Sequence, residues 1–145
     1  AATKGSVKKV RRYPITLIKT NAEDIAQNAS IEASSNSDYK ELVMNKNLTD
    51  GWESAADDTQ PYLQYYFKNG AYMNAVMLVE MGDKVSSYKI EVSDDGRTWK
   101  EVSTGATLGD GVKNVIKFAQ VNTKYIRASF TPNSGETVKI ASFEV

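Results

Sequence analysis

The stretch that decides the fold is YKIEVSDDGRTWKEV, residues 88–102. Its apolar residues Tyr88, Ile90 and Val92 alternate with polar ones, which is the period of a half-buried β-strand. The run Asp94-Asp95-Gly96 then gives a strong hairpin signal, because glycine adopts positive φ without a Cβ clash. The stretch therefore predicts two antiparallel strands joined by a tight turn.

The same period of two continues on both sides of this hairpin. Further turn signals lie at Lys68-Asn69-Gly70 and at Pro132-Asn133-Ser134-Gly135, and residues 22–27 suggest a turn or two of helix. Short, regularly spaced strands with polar partners predict an all-β fold, an antiparallel β-sandwich or jelly roll. The alternating runs are residues 30–34, 62–67, 75–80, 111–118, 124–130 and 138–145.

The length and composition fit one domain. The chain has 145 residues, of which 41% are hydrophobic and 25% are charged, and these are ordinary values for a globular protein. A domain of this size buries a core without the help of metals or disulfides. We expect residues 1–20 to form an N-terminal linker or edge segment and residues 21–145 to form the sandwich.

The charge balance and the missing residue types exclude several functions. The 18 basic and 18 acidic residues give a formal net charge of +0, so the chain has no general attraction to nucleic acid or anionic lipid. Without cysteine there is no disulfide, thiolate metal site or cysteine nucleophile, and without histidine there is no Ser-His-Asp chemistry. No apolar run approaches the ~20 residues of a membrane helix. We expect no nucleic-acid partner and no membrane insertion.

Several short motifs follow one another along the chain. They include Ala33-Ser34-Ser35, Leu48-Thr49-Asp50-Gly51-Trp52-Glu53-Ser54 and residues 62–67, YLQYYF. The hairpin of residues 88–102 and the strand Lys124-Tyr125-Ile126-Arg127 complete the series. In this order the motifs resemble the discoidin family, also called the factor V/VIII type C domain, over roughly residues 21–145. The resemblance implies a galactose-binding-domain-like antiparallel β-sandwich jelly roll. Such domains usually bind glycans, less often lipid or protein, and often hold one structural Ca²⁺.

A narrower resemblance lies in residues 79–85 and 104–109, which read VEMGDKV and TGATLG. These segments resemble the discoidin-type domains appended to bacterial α-L-fucosidases and related glycosidases. The resemblance implies a non-catalytic carbohydrate-binding accessory module of a larger bacterial glycoside hydrolase or surface protein. It also implies a periplasmic, cell-surface or secreted location. The expected partners are a glycan or oligosaccharide and a catalytic domain in the same chain.

Strand direction predicts where a binding site lies. Consecutive antiparallel strands alternate in direction, so alternate loops share one end of a sandwich. If the turn at residues 94–97 is at the bottom, the longer and more polar loops gather at the top, where sites on rigid sandwiches usually lie. The candidate ligand-binding residues in these loops are Trp52, Glu53, Asp57, Asp58, Asp83, Lys84, Asp110 and Asn133.

A sugar site needs an aromatic platform for the apolar face of the ring and fixed polar groups for its hydroxyls. Trp52 is the only tryptophan near the top loops, and it is either that platform or a core residue. Asp57 and Asp58 are either sugar-hydroxyl acceptors or part of a solvated loop, and adjacent carboxylates rarely serve one glycosidic bond as a catalytic pair. Galactose-binding members commonly use a histidine, which this chain lacks, so another glycan or none stays open.

Asn45 and Asp50 are the candidate metal ligands. Ca²⁺ takes 6–8 oxygen ligands, and the resemblance places Asp50 at the family's ligand aspartate. The threonine that normally follows is missing, because Trp52 comes directly after Gly51, and the glutamate of the last strand falls at Ser142. The alternatives are a structural calcium held by this reduced set and a plain turn.

Two other functions stay open beside the binding module. A structural domain would pack on a catalytic neighbour without binding glycan itself, and it would show a large apolar patch and no exposed aromatic at the top. A free-standing enzyme would need chemistry based on carboxylates alone. The sequence favours the binding module.

Overall fold

The structure is a computed structural model that describes residues 23–145, and the expected N-terminal segment of residues 1–20 lies outside this part. A 3-10 helix spans Ile25–Asn28, where a short helix was predicted, and the Asp24 side chain caps it by accepting from the Ala26 amide. A second 3-10 helix, Ser37–Met44, was not predicted. Neither of these helices has the length and apolar character needed to cross a membrane.

Antiparallel strands make up most of the described residues, and every pairing between named strands is antiparallel. This confirms the predicted all-β class. The strands are β1 (Ser30–Ala33), β2 (Trp52–Glu53), β3 (Tyr62–Glu80), β4 (Val85–Ser93), β5 (Lys100–Gly105), β6 (Asn114–Pro132) and β7 (Lys139–Glu144).

β3 and β6 belong to both layers of the sandwich. They pair with each other from Tyr62 to Leu78, with a register shift between Tyr66 and Ala71. Before the shift, β3 also pairs with β1, and after it with β7. The second half of β6 pairs with β4. One layer is therefore β1-β3-β6-β4-β5 and the other is β2-β7-β3-β6, which is the predicted jelly-roll sandwich.

One apolar core lies between the layers. In the first half of β3, Leu63, Tyr65 and Phe67 are buried and alternate with outward-facing side chains. The ring of Tyr65 packs on that of Phe143 in the other layer, with centroids 4.7 Å apart. This contact joins the two layers directly.

The predicted turns have three outcomes. The 94–96 turn does join the paired strands β4 and β5, and Gly96 has φ 74°. Lys68-Asn69-Gly70 is not a hairpin, because it lies inside β3 at the corner between the layers and both flanking segments pair with β6. Residues 132–135 form a turn, but β6 and β7 are not sheet neighbours, so this turn is not a hairpin either.

Candidate functional site

The loops predicted to share one end of the sandwich are joined by main-chain hydrogen bonds. The Ser54 amide, after β2, donates to the Val138 carbonyl at 2.8 Å. The Asn133 amide, after β6, donates to the Lys84 carbonyl at 2.7 Å. The loops that follow β2, β3 and β6 therefore lie together, as predicted from the strand directions.

Trp52 does not offer an aromatic platform. It lies in β2 opposite Ile140 and has a relative exposure of 0%. Its indole N–H donates to the Ser35 carbonyl at 2.7 Å, which satisfies its one polar group inside the protein. The expectation of a ligand contact at Trp52 is corrected, because a fully buried ring has no surface for a sugar.

Asp58 fixes the shape of its loop through hydrogen bonds. Its Oδ2 accepts from the hydroxyls of Ser34 and Ser35 at 2.5 and 2.6 Å. Its Oδ1 accepts from the Gln60 amide at 3.1 Å. Both carboxylate oxygens thus accept from protein donors, and the half-buried Asp58 fixes this loop, while a sugar contact at Asp58 stays a prediction. The neighbouring Asp57 is exposed, and its role stays a prediction.

Lys84, Asp83 and Asn133 link two neighbouring loops. The Lys84 ammonium lies 2.8 Å from Glu136 Oε1, and this hydrogen bond raises the pKa of Lys84. Asn133 Nδ2 donates to the Asp83 carbonyl at 3.2 Å. These residues stand at the predicted end, where the structure gives them contacts between loops.

A buried carboxylate, Glu80, lies next to Asp110 at this end, where the two residues form a β-bridge. Glu80 Oε2 accepts from the amides of Lys84 and Val85 at 2.7 and 2.9 Å. Glu80 Oε1 has no hydrogen-bond partner among residues 23–145, and burial raises the pKa of this carboxyl. The exposed Asp110 accepts from the Gly82 amide at 2.7 Å, so both acids hold the loop between β3 and β4.

The strongest candidate site is a hollow that sequence reasoning missed. It has a volume of about 420 Å³ and lies beside Tyr39, which keeps 59% of its surface exposed. The sequence did not point to Tyr39, because the second 3-10 helix carries no clear apolar period and was not predicted. Polar residues from separate segments of the chain also line this loop-end hollow, among them Asn36, Glu53, Thr137 and Lys139.

Hydrogen bonds fix the polar wall of the loop-end hollow. Glu53 Oε2 accepts from the Thr137 hydroxyl at 2.6 Å, and the Glu53 carbonyl accepts from Asn36 Nδ2 at 2.9 Å. Asn36 has φ 49°, a left-handed conformation that asparagine tolerates. Its carbonyl accepts from the Tyr39 amide at 3.1 Å. Asn36 therefore connects the helix that carries Tyr39 to the strand that carries Glu53.

The loop-end hollow has the groups for binding and lacks those for glycoside hydrolysis. Tyr39 supplies an aromatic surface, Glu53 supplies acceptors, and Lys139 supplies a charged donor. Glu53 is the one carboxylate among the residues that line the hollow, whereas glycosidases normally use a pair. The arrangement suits recognition of hydroxyl groups.

Asn45 and Asp50 lie together, but their arrangement does not fit a calcium cage. Asn45 presents its side-chain N–H to Asp50 Oδ1 at 3.3 Å, while Asn45 Oδ1 accepts from the Asn47 amide at 2.8 Å. The position in the last strand where the resemblance expects a glutamate is the fully buried Ser142, which carries no carboxylate. Residues 23–145 contain no group of three or more acidic residues placed to hold a metal ion. Calcium binding stays a prediction.

A comparison with known families decides the relationship. The model of the F5/8 type C domain matches residues 27–143. The chain belongs to the F5/8 type C family. In this F5/8 type C domain, the match begins in the first 3-10 helix and ends in β7, so it spans both layers of the sandwich.

Solved structures of sugar-binding proteins and enzymes resemble this F5/8 type C domain. A Ruminococcus gnavus GH29 fucosidase in complex with fucose aligns with a TM-score of 0.76 and 19% identity, over 85% of this chain and 26% of the fucosidase. CpGH89CBM32-5 from Clostridium perfringens, in complex with GalNAc-beta-1,3-galactose, aligns with a TM-score of 0.70 and 14% identity, over 83% of this chain and 96% of that one. These two similarities establish a shared fold.

A third similar structure is chitosan-binding module 1 from a chitosanase/glucanase of Paenibacillus sp. IK-5. It aligns with a TM-score of 0.72 and 26% identity, over 85% of this chain and 98% of the module. The F5/8 type C domain thus matches nearly the whole of this small module. It spans only 26% of the fucosidase chain.

Proposed function

We propose that this F5/8 type C domain is a non-catalytic carbohydrate-binding module that holds a glycan in the loop-end hollow. The observation that carries the proposal is the exposed ring of Tyr39 beside the fixed carboxylate of Glu53. A sugar ring stacked on Tyr39 would bury its apolar face there. Its hydroxyls would then reach Glu53 as acceptor and Lys139 as donor.

The comparisons support a role as an accessory module. Similar modules are described as chitosan-binding or are seen with a bound disaccharide, and the fucosidase carries this fold within a longer chain. We infer that the parent protein is a bacterial glycoside hydrolase or surface protein that works outside the cytoplasm. There the module would raise the effective concentration of the enzyme at its glycan without adding chemistry.

The alternative of a purely structural domain is disfavoured by the same tyrosine. A domain that only packs on a neighbour has no need for an exposed aromatic side chain above a polar hollow. Tyr39 stands at the loop end with polar residues around it, which suits a soluble ligand better than an apolar interface.

Calorimetric titration of the full chain with defined fucosides, galactosides and chitosan oligosaccharides tests the proposal. Tyr39→Ala should weaken binding of the best ligand by about 2- to 12-fold, because an aromatic contact contributes roughly 0.5–1.5 kcal/mol beyond its buried area. The matched control is Tyr72→Ala, since Tyr72 is 68% exposed and lies outside the loop-end hollow.

A second variant tests the polar wall. Glu53→Gln keeps the shape of the side chain and removes its charge, so we expect weaker binding with unchanged thermal stability. Equal losses of glycan affinity in Tyr39→Ala and Tyr72→Ala would show that the loop-end hollow is not the binding site. If the wild type bound no glycan in the panel, that result would contradict the proposed function.

A further inference from the structure

A second concave surface lies on the outer face of the layer β1-β3-β6-β4-β5. This outer-face trough has a volume of about 580 Å³ and shares no lining residue with the loop-end hollow. Its floor follows the strand alternation: Arg127 on β6 and Lys89 on β4 face outward, next to Ala128 and Ile90 in the core. The segment 59–61 before β3 forms one wall.

Arg127 is held rigidly at the floor of the trough. Its guanidinium carbon lies 4.1 Å from the ring centroid of Tyr62 and 4.1 Å from that of Trp99. Its Nε and Nη2 donate to Gln64 Oε1 at 2.9 and 2.8 Å. Two aromatic contacts and two hydrogen bonds fix the side chain in one position, so a ligand would meet a preorganised guanidinium.

The remaining N–H groups of Arg127 have no acceptor within the described part of the chain. A guanidinium carries five N–H donors, and Gln64 accepts only two of them. No carboxylate of residues 23–145 lies within ion-pair distance of Arg127. Glu91 stands opposite Arg127 in the strand register, but its ion pair, at 3.7 Å, is with Lys89.

The charges of the trough therefore favour an anion. Its charged lining residues are Arg127, Lys89 and Glu91, which give two positive charges and one negative charge. Lys89 keeps 46% of its side chain exposed, so its ammonium remains accessible beside Glu91. Hydroxyl groups of Thr104 and Ser129 complete the floor and suit polyhydroxylated ligands.

We propose that the outer-face trough binds an acidic sugar residue, with its carboxylate held by Arg127 in a two-point hydrogen-bonded ion pair. Planar guanidinium and carboxylate groups match in geometry, and such pairs are stronger than neutral hydrogen bonds. Lys89 adds attraction, and the hydroxyls of Thr104 and Ser129 meet those of the sugar. A sulfate ester would present similar chemistry, and the experiment separates the two anions.

The proposal is independent of the loop-end hollow. A glycan that occupied both surfaces would be gripped at two separate places, whereas either surface could bind alone. Tyr39→Ala changes only the hollow and Lys89→Gln only the trough. Failure of one site is therefore distinguishable from failure of the other.

The experiment is a calorimetric and NMR titration of the full chain with a β-1,4-linked mannuronate trisaccharide. The matched neutral ligand is β-1,4-mannotriose, which has a hydroxymethyl group where the uronate has its carboxylate. A carrageenan tetrasaccharide supplies sulfate without carboxylate. We expect only the uronate to bind in the trough and to shift the amide signals of Thr104 and Ser129. Its affinity should fall as the salt concentration is raised.

The variants assign the binding to named side chains. Lys89→Gln should lower the affinity for the uronate about 2- to 5-fold, as expected for the loss of one partly exposed ion pair. Arg127→Lys keeps the charge, loses the two-point geometry and should weaken it about 10-fold or more. The control is Lys117→Gln, an equal charge change at an exposed position paired with Ala75 in the other layer.

Several results would overturn the proposal. These are equal affinity for the uronate and the neutral trisaccharide, equal losses in Lys89→Gln and Lys117→Gln, or signal shifts confined to residues around Tyr39. Binding of the sulfated ligand without the uronate would overturn the assignment to a carboxylate. Because Lys89→Gln alters an exposed side chain, it decides the matter even if Arg127→Lys loses its fold.

Discussion

The hydroxyl of Tyr65, on β3, donates a 2.5 Å hydrogen bond to the main-chain carbonyl of Phe143, on β7. The two residues belong to opposite layers, and their rings pack with centroids 4.7 Å apart. Both are completely buried, and burial raises the pKa of Tyr65 well above its usual range. A polar bond thus joins the two layers inside the core.

Tyr65→Phe should destabilise the domain by about 1–3 kcal/mol, because it leaves the buried Phe143 carbonyl without this donor. Urea unfolding followed by fluorescence measures the change. Tyr72→Phe is the control, since Tyr72 is 68% exposed and its hydroxyl can exchange bonds with water. Equal stability of Tyr65→Phe and wild type would show that the bond contributes nothing net.

Glu80→Gln should change how stability depends on pH. Burial raises the pKa of Glu80 above its ordinary value of 4.5, so the folded protein keeps this proton where the unfolded chain has lost it. This group therefore weakens folding as pH rises from 4.5 through the folded pKa, and acidification restores the loss. The neutral amide removes that dependence.

The free energy of unfolding of Glu80→Gln should exceed that of wild type near neutral pH. The difference should shrink as the pH falls toward the ordinary value of 4.5, because wild-type Glu80 is then protonated in the folded and, increasingly, in the unfolded state. Urea unfolding at a series of pH values measures it, with the exposed Glu101→Gln as control. A variant less stable than wild type at neutral pH would show that the charged bonds to Lys84 and Val85 outweigh burial.

Asp95 should stabilise the turn between β4 and β5 at neutral pH but not in strong acid. The amides of Thr98 and Arg97 each donate to Asp95 Oδ1 at 2.8 Å, and with the Ser93 hydroxyl they lower its pKa to about 2. Its contribution is present above the ordinary value of 3.8 and is lost as pH falls through about 2.

Asp95→Ala should therefore lower the melting temperature at neutral pH more than Asp94→Ala does. Asp94 is the matched control because it is an exposed aspartate in the same turn. The gap between the two variants should close in strong acid. Thermal unfolding followed by circular dichroism measures both, and identical melting temperatures at neutral pH would contradict the role of Asp95.

Calcium at Asn45 and Asp50 would bind weakly. With Asp50 as the only carboxylate of this set, we expect affinity no tighter than roughly 10⁻⁴–10⁻³ M, the range of weak calcium modules. Melting temperatures in EDTA and in a series of calcium concentrations measure this, with Asp50→Asn as the comparison. A large drop in EDTA that Asp50→Asn abolishes would show a tighter site than these ligands suggest.

The sequence predicted the strands because their signal is local. Ile90 and Val92 point inward for the same reason that their neighbours Lys89 and Glu91 point outward, and five or six residues suffice to see it. The same local view failed at Lys68-Asn69-Gly70. Whether a glycine turn makes a hairpin or a corner depends on β6, which lies about fifty residues away along the chain.

The candidate site was harder to predict because it is assembled from distant segments. Tyr39 and Glu53 meet Thr137 and Lys139 only after folding, and no motif joins them in sequence. Trp52 was predicted as a candidate because it is the tryptophan near these loops. It lies in β2 opposite Ile140, and its side chain is buried in the core. Residue type pointed to the end of the sandwich where the loop-end hollow lies, but not to Tyr39, the exposed aromatic side chain there.

β3 and β6 pass from one layer to the other as a single paired ribbon. A partly melted form that kept one layer intact would have to break both strands midway and expose the rings of Tyr65 and Phe143 together. The two layers should therefore unfold together, and we expect heating to give one cooperative transition with no half-folded species. We accordingly expect a protease to cut β3 and β6 only in molecules in which the whole domain has unfolded.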